Sequence, residues 1–219
     1  MNNKIMISLP SRVTSALTAF LNSIHINQTE VFFNGNVNSL KYIHAILDKQ
    51  QIQIYSLHMQ KNLFSMAPEY IDTYLERAKK ISEALNCILL FHPNGINEKY
   101  INRLQRFPGK IAFENTICSY TQLQALLEKS TNFYLVYDIA HARYFQDHSH
   151  FVSNSKMLYA HIQGYDGENV ALLTQSDETH FQFLRTLCLN QNCPFVLENS
   201  YFSYKEIIDD IKKIKHIIT

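Results

Sequence analysis

Eight short apolar runs alternate with eight amphipathic segments along this 219-residue chain, and that alternation is its strongest constraint on fold. The runs read as strands at Lys4–Leu9, Glu30–Asn34, Gln53–His58, Cys87–His92, Lys110–Glu114, Phe133–Asp138, Met157–Gln163 and Pro194–Asn199. They lack a clean polar–apolar alternation, as expected of strands covered on both faces. Between and after them lie helical segments at Ser11–Ser23, Ser39–Asp48, Pro68–Leu85, Glu98–Arg106, Tyr120–Lys129, Ala142–Phe151, Asp177–Leu189 and Ser203–Ile217. In the segment from Pro68, residues Ile71, Tyr74, Leu75, Ala78, Ile81 and Leu85 recur at three- and four-residue steps, the period of a helix with one buried face. Ser176 and Asp177 are candidate N-caps ahead of Phe181, Leu184 and Leu187.

Repeated strand–helix units predict a compact α/β (β/α)₈ TIM barrel, a single domain over residues 1–219. The length lies near the lower limit for that fold, so loops must be brief. The rival, an open doubly wound sheet, lacks its usual nucleotide fingerprints: no GxGxxG or GxxxxGK follows any strand, and the chain has only five glycines.

Composition excludes several function classes. A net charge of +1 gives no global field toward nucleic acid or anionic lipid. No apolar run approaches the length of a membrane span, and the start of the chain reads as a first strand and not as a signal peptide. The cysteines Cys87, Cys118, Cys188 and Cys193 form no CxxC pair or regular framework, so buried free thiols in a reducing cytoplasm are expected.

The functional signal lies at the strand ends. His58, His92, Glu114, Asp138, His141, His161 and Glu198 sit at or just beyond the ends of six consecutive runs. A parallel barrel brings the C-terminal ends of its strands to one face, where active sites are built. One histidine in such a place reads as a hydrogen-bonded structural residue. Several carboxylates around one barrel mouth are different, because buried charge needs a partner and a cation supplies it. Carboxylate and imidazole together suit a divalent metal, zinc or manganese first. Glu114, Asp138, His161 and Glu198 can surround one ion; His58 and His92 lie on the adjacent arc and can hold a second through Glu114. His141 is a candidate ligand or acid–base group. His25, His44, His148, His150 and His216 fall in helices or loops, and most aromatics read as packing.

In order and spacing, SLH at 56–58, FHP at 91–93, FENT at 113–116, DIAHA at 138–142, HIQG at 161–164 and LEN at 197–199 resemble the xylose isomerase-like TIM-barrel superfamily. That superfamily includes sugar isomerases, epimerases and endonuclease IV. The resemblance implies that Glu114, Asp138, His161 and Glu198 are the ligands of a single-metal isomerase site, with the two glutamates as its acid–base pair. It matches His58 and His92 to further zinc ligands of endonuclease IV, and His141 to a ligand of that enzyme's third zinc. The chain departs from the endonuclease pattern after the seventh strand, where Asn169 and Ala171 stand in place of a D-x-H pair. Asp166, Asp177 and His180 are the candidate substitutes. After His58 the chain reads MQKN, where endonuclease IV has an aromatic residue that helps open DNA.

The leading expectation is a metal-dependent isomerase or epimerase of a small sugar or hydroxy-keto compound. The alternatives are an endonuclease IV-like phosphodiester hydrolase, with nucleic acid as the disfavoured partner, and a barrel that binds metal without turnover. Oligomeric state and the role of Asn34 at the end of the second strand are not set by the sequence.

Overall fold

The computed structural model describes residues 5–10, 13–116, 119–141, 148–165, 170–176, 178–190, 193–199, 201 and 203–218. Ten strands run in chain order: β1 (Ile5–Leu9), β2 (Gln28–Phe33), β3 (Gln53–Met59), β4 (Ile88–Phe91), β5 (Ile111–Glu114), β6 (Phe133–Asp138), β7 (Met157–Ile162), β8 (Gly164–Tyr165), β9 (Val170–Ala171) and β10 (Phe195–Leu197). Eight of them, all but β8 and β9, close a parallel barrel in the order β1-β10-β7-β6-β5-β4-β3-β2, with β1 pairing β2 to seal it. The eight predicted strands are these eight, within a residue or two at either end. The helices are α1 (Ser15–Ser23), α2 (Val37–Lys49), α3 (Pro68–Leu85), α4 (Glu98–Leu104), α5 (Tyr120–Leu127), α6 (His148–Val152), α7 (Glu178–Asn190) and α8 (Tyr204–Ile218).

Local chemistry explains the helix boundaries. Asn36 caps α2, its side chain accepting from Asn38 N and Ser39 N, and Asn97 caps α4 by accepting from Tyr100 N. Ser119 and Gln122 form a capping box at α5. Pro68 opens α3 where its missing N–H costs nothing, and Asn86 ends it in the left-handed region at φ 49°. The first helix is shorter than its apolar pattern suggested. It starts at Ser15 because Thr14, in extended backbone, accepts from Leu17 N and caps it there. The predicted helix from Ala142 is described only as α6; residues 142–147, and the proposed cap Asp177, lie outside the described residues.

The strands are apolar on both faces because they serve two cores. Residues such as Leu57, Leu89, Phe113, Leu135 and Leu197 pack outward against helix residues including Leu47, Leu75 and Leu184. The alternate set, Met6, Ile88, Leu90, Ala112, Val136, Tyr159 and Val196, fills the barrel itself. This second set positions the site. Side chains two residues apart on a strand share a face. Counting two onward from Met6, Leu90, Ala112, Val136, Tyr159 and Val196 gives Ser8, His92, Glu114, Asp138, His161 and Glu198. The polar residues are therefore the next layer up, resting on an apolar plug.

Candidate metal centre

Six of the seven predicted strand-end residues reach this layer, and His141 stands at its rim. His58 lies in β3, Glu114 and Asp138 end β5 and β6, His161 lies in β7, and His92 and Glu198 sit one residue past β4 and β10. His58, His92, Glu114, Asp138 and His161 are all buried, whereas the Glu198 and His141 side chains keep 23% and 31% exposure. That difference gives the cluster a closed floor and an open side. The open side faces a cavity of about 1210 Å³ that Asp138, His141, Gln163, Glu198 and Lys61 help to line.

Three groups of donors form, one of them Glu30 with His58 and His161. The potential ligand atoms of Glu114, Asp138, His161 and Glu198 all lie within 4.8 Å of one another, and those of His58, His92 and Glu114 do likewise. His161 Nδ1 is 3.2 Å from Glu114 Oε1, 3.1 Å from Glu198 Oε2 and 3.9 Å from Asp138 Oδ2. His92 Nε2 lies 2.7 Å from Glu114 Oε2 and 2.9 Å from His58 Nε2. His141 Nε2 stands off at the rim, 3.7 Å from Asp138 Oδ2 and 3.8 Å from Glu114 Oε1, too far for a hydrogen bond.

Neighbouring groups hold the carboxylates in place. Asp138 Oδ1 accepts from Ala140 N at 2.6 Å, turning the chain sharply toward His141. Asn115 donates to the Asp138 carbonyl and accepts from its N–H, tying the ends of β5 and β6 together. Gln163 Nε2 donates to Asp138 Oδ2 at 3.1 Å and to Glu198 Oε2 at 3.3 Å, bridging two strand ends. On α8, buried Asp210 accepts from Asn199, Tyr201 and Thr174 N, which fixes the loop that follows Glu198.

The electrostatics are those of crowded charge. Burial opposes ionisation of Glu30 and Glu114, but the adjacent imidazoles overcome it and hold both well below the usual carboxylate range. Burial, reinforced by the charges of Glu114 and Glu198, pushes Asp138 well above that range. Burial works against a charge on His161 too, yet Glu30, Glu198 and Glu114 raise it well above an ordinary histidine. His141, with burial dominant, is lowered. Protons thus serve as counter-charges among packed carboxylates.

A divalent cation fits this donor set. Three carboxylates and one imidazole converge within one ion's reach, and oxygen with a single nitrogen suits magnesium, manganese or zinc. Glu114 Oε2 is buried and receives no properly directed hydrogen bond, despite the imidazole of His92 beside it. An acceptor left in that state is an atom whose electrons are available to a ligand.

The site contains one residue that strand-end reasoning missed. Glu30, fully buried on β2, sits among His58, His161 and three hydroxyls. Its sequence signal was a lone carboxylate inside the apolar run TEVFF. Asn34 has a local role: its Oδ1 accepts from Asn36 N in a turn leading to α2. After β7, Gly164 and Tyr165 pair antiparallel with Val170 and Ala171, so Ala171 belongs to a small ribbon. Asp166, Asn169 and Asp177 lie outside the described residues, as does the side chain of His180.

No protein-family model matches the chain, and no curated protein matches it in sequence. Solved structures do match it over nearly their whole lengths. A xylose isomerase domain-containing protein from Salmonella typhimurium LT2 shares 14% identity at a TM-score of 0.72, covering 100% of this chain and 99% of that one. The 3-keto-D-glucoside 4-epimerase of E. coli shares 12% at 0.66, with 99% of each chain covered. A xylose isomerase-like TIM-barrel protein from Mycobacterium smegmatis, in complex with magnesium, shares 10% at 0.63, covering 95% of this chain and 92% of that one. At such identities the likeness is one of architecture, and it agrees with the closed barrel and its strand order: the chain shares the TIM-barrel fold of these proteins.

Proposed function

We propose that this chain is a divalent-metal-dependent isomerase or epimerase acting on a small sugar or hydroxy-keto compound. The observation that carries this reading is the convergence of Glu114, Asp138, His161 and Glu198 at the floor of an open cavity. The epimerase among the structural neighbours supports the reaction class. A divalent ion bound by these four residues would polarise a substrate carbonyl and hold an adjacent oxygen.

The protein's own groups supply the proton chemistry. Glu114 and Glu198 both lie beside His161 Nδ1, at 3.2 and 3.1 Å, so a substrate carbon bound there has two carboxylates within reach. One takes the proton alpha to the carbonyl and the other delivers it. Gln163 holds Glu198 in position, and His141 at the rim binds a substrate hydroxyl as a neutral imidazole. The buried side chains of Cys87 and Cys193 support a reducing, cytoplasmic setting.

The test is metal binding together with proton exchange. Purified protein loaded with manganese, magnesium or zinc should incorporate solvent deuterium alpha to the carbonyl in one or more of a panel of ketoses and hydroxy-keto acids. Glu114→Gln and Glu198→Gln should each slow that exchange by about 10²–10⁴-fold. Glu198→Gln should also lose tight metal binding while keeping the wild-type circular dichroism spectrum. Unchanged metal content in that variant, or no exchange with any substrate of the panel, sinks the proposal.

The second donor group, His58, His92 and Glu114, favours a second reading as a two-metal phosphodiester hydrolase. Metal stoichiometry separates the two. About one ion per chain fits the isomerase site, and two or more would call for an abasic-DNA cleavage assay.

A further inference from the structure

Glu30 is a carboxylate with no exposure to solvent, placed beside the centre described above. Strand register puts it between two serines at one level of the barrel: Ser8 of β1 pairs with Glu30, and Glu30 pairs with Ser56 of β3. Both serines donate to it, Ser8 Oγ to Oε1 at 3.2 Å and Ser56 Oγ to Oε2 at 2.9 Å. Tyr159 Oη reaches across from β7 to donate to Oε2 at 2.7 Å. Three hydroxyls on three other strands therefore fix this carboxylate before any imidazole is considered.

Two imidazoles then complete its shell. His161 Nε2 lies 3.2 Å from each of the two oxygens, and His58 Nδ1 lies 3.4 Å from Oε1. An ionised carboxylate offers about four acceptor sites. The three hydroxyls and His161 supply four hydrogen bonds and His58 adds a longer contact, so Glu30 has nothing left for an ion of its own, although it lies within ligand distance of both histidines.

The other nitrogen of each ring meets the strand-end residues. His161 Nδ1 faces Glu114 and Glu198, and His58 Nε2 faces Glu114 and His92. A neutral imidazole has one donor and one acceptor nitrogen, so a proton held on Nε2 leaves the Nδ1 lone pair for a metal. We infer that Glu30 is a positioning residue: it holds the Nε2 proton of His161 and thereby aims Nδ1 at the metal centre, while His58 Nδ1 is shared between Glu30 at 3.4 Å and Glu198 at 3.5 Å. A carboxylate behind a ligating histidine fixes the tautomer and ring orientation and raises the ligand's basicity.

This inference rests on the metal reading for its consequence, not for its geometry, so two readouts are needed. Glu30→Gln keeps the shape and removes the charge, and its amide sets N–H donors against groups that already donate. In nitrogen-15 spectra of the metal-free protein, wild type should show a His161 Nε2 proton protected from solvent exchange, and Glu30→Gln should lose it. In competition with a chromophoric chelator, zinc affinity should fall by about 10–100-fold in Glu30→Gln. The visible spectrum of the cobalt-substituted variant should shift with the altered ligand geometry.

A role limited to satisfying barrel hydroxyls predicts lower thermal stability alone; wild-type zinc affinity together with an intact His161 proton would overturn the inference. Should wild type itself bind no divalent ion, the functional reading fails while the proton readout still decides the role of Glu30. Should Glu30→Gln not fold, Tyr159→Phe removes one anchoring hydroxyl. A several-fold weaker zinc affinity with faster exchange of the His161 proton supports the inference, and no change in either overturns it.

Discussion

His58 carries a pH dependence that the packed carboxylates around it create. Burial opposes its charge, but hydrogen bonds and attraction from Glu114 and Glu30 raise it from 6.5 to about 10. A group whose pKa is raised by folding contributes its stability in full below the unfolded value and loses it as pH rises through the folded value. Its window therefore opens near 6.5 and closes near 10. Metal-free protein should lose stability to urea between pH 7 and pH 10, and His58→Gln should show a shallower decline over the same range. Parallel declines would remove His58 as the source. Legibility in the sequence divided along a physical line. Residues at the ends of apolar runs were identifiable because a charge there is both anomalous and placed at the mouth. Glu30 was not, because its partners Ser8, Ser56 and Tyr159 are ordinary strand residues until the barrel closes.

At the scale of elements, the segment after β7 shapes one wall of the cavity, through Ala171, Leu172 and Gln175. Gly164 starts it, and a Cβ there would lie 2.0 Å from the Leu172 carbonyl oxygen and 2.6 Å from Leu173 N. Those are backbone atoms and cannot swing aside as a side chain would. Gly164→Ala should therefore displace the β8–β9 ribbon and the 3₁₀ turn at Leu173–Gln175, costing about 1–3 kcal/mol by analogy with overpacking elsewhere. Urea unfolding measures the cost, and a change under about 0.5 kcal/mol, the size of an ordinary surface substitution, would show that the ribbon yields freely. Helices and strands were readable because their periods differ: α3 repeats at helical steps, whereas β4 and β5 are short, wholly buried runs. The ribbon was not, since two-residue strands carry no period.

At the scale of the molecule, the proposed ligands come from β5, β6, β7 and the residue after β10, so one ion would join four of the eight barrel staves. A ligand that binds only the folded state stabilises it by about 2.7 kcal/mol at a hundredfold excess over Kd. Manganese or zinc should raise the melting temperature, and EDTA should restore the metal-free value; a melting curve indifferent to both would count against the centre. Among the described residues no helix is long and apolar enough to cross a membrane. The sequence by itself determined the eight-fold strand–helix alternation and the acidic and imidazole residues at the strand ends, because hydrophobic period and charge placement are local properties of a chain. The tertiary structure alone decided which of those residues meet. It set Glu30 beside two histidines, left His141 at the rim and placed an apolar plug beneath the site, because barrel closure and strand register bring together residues far apart in sequence.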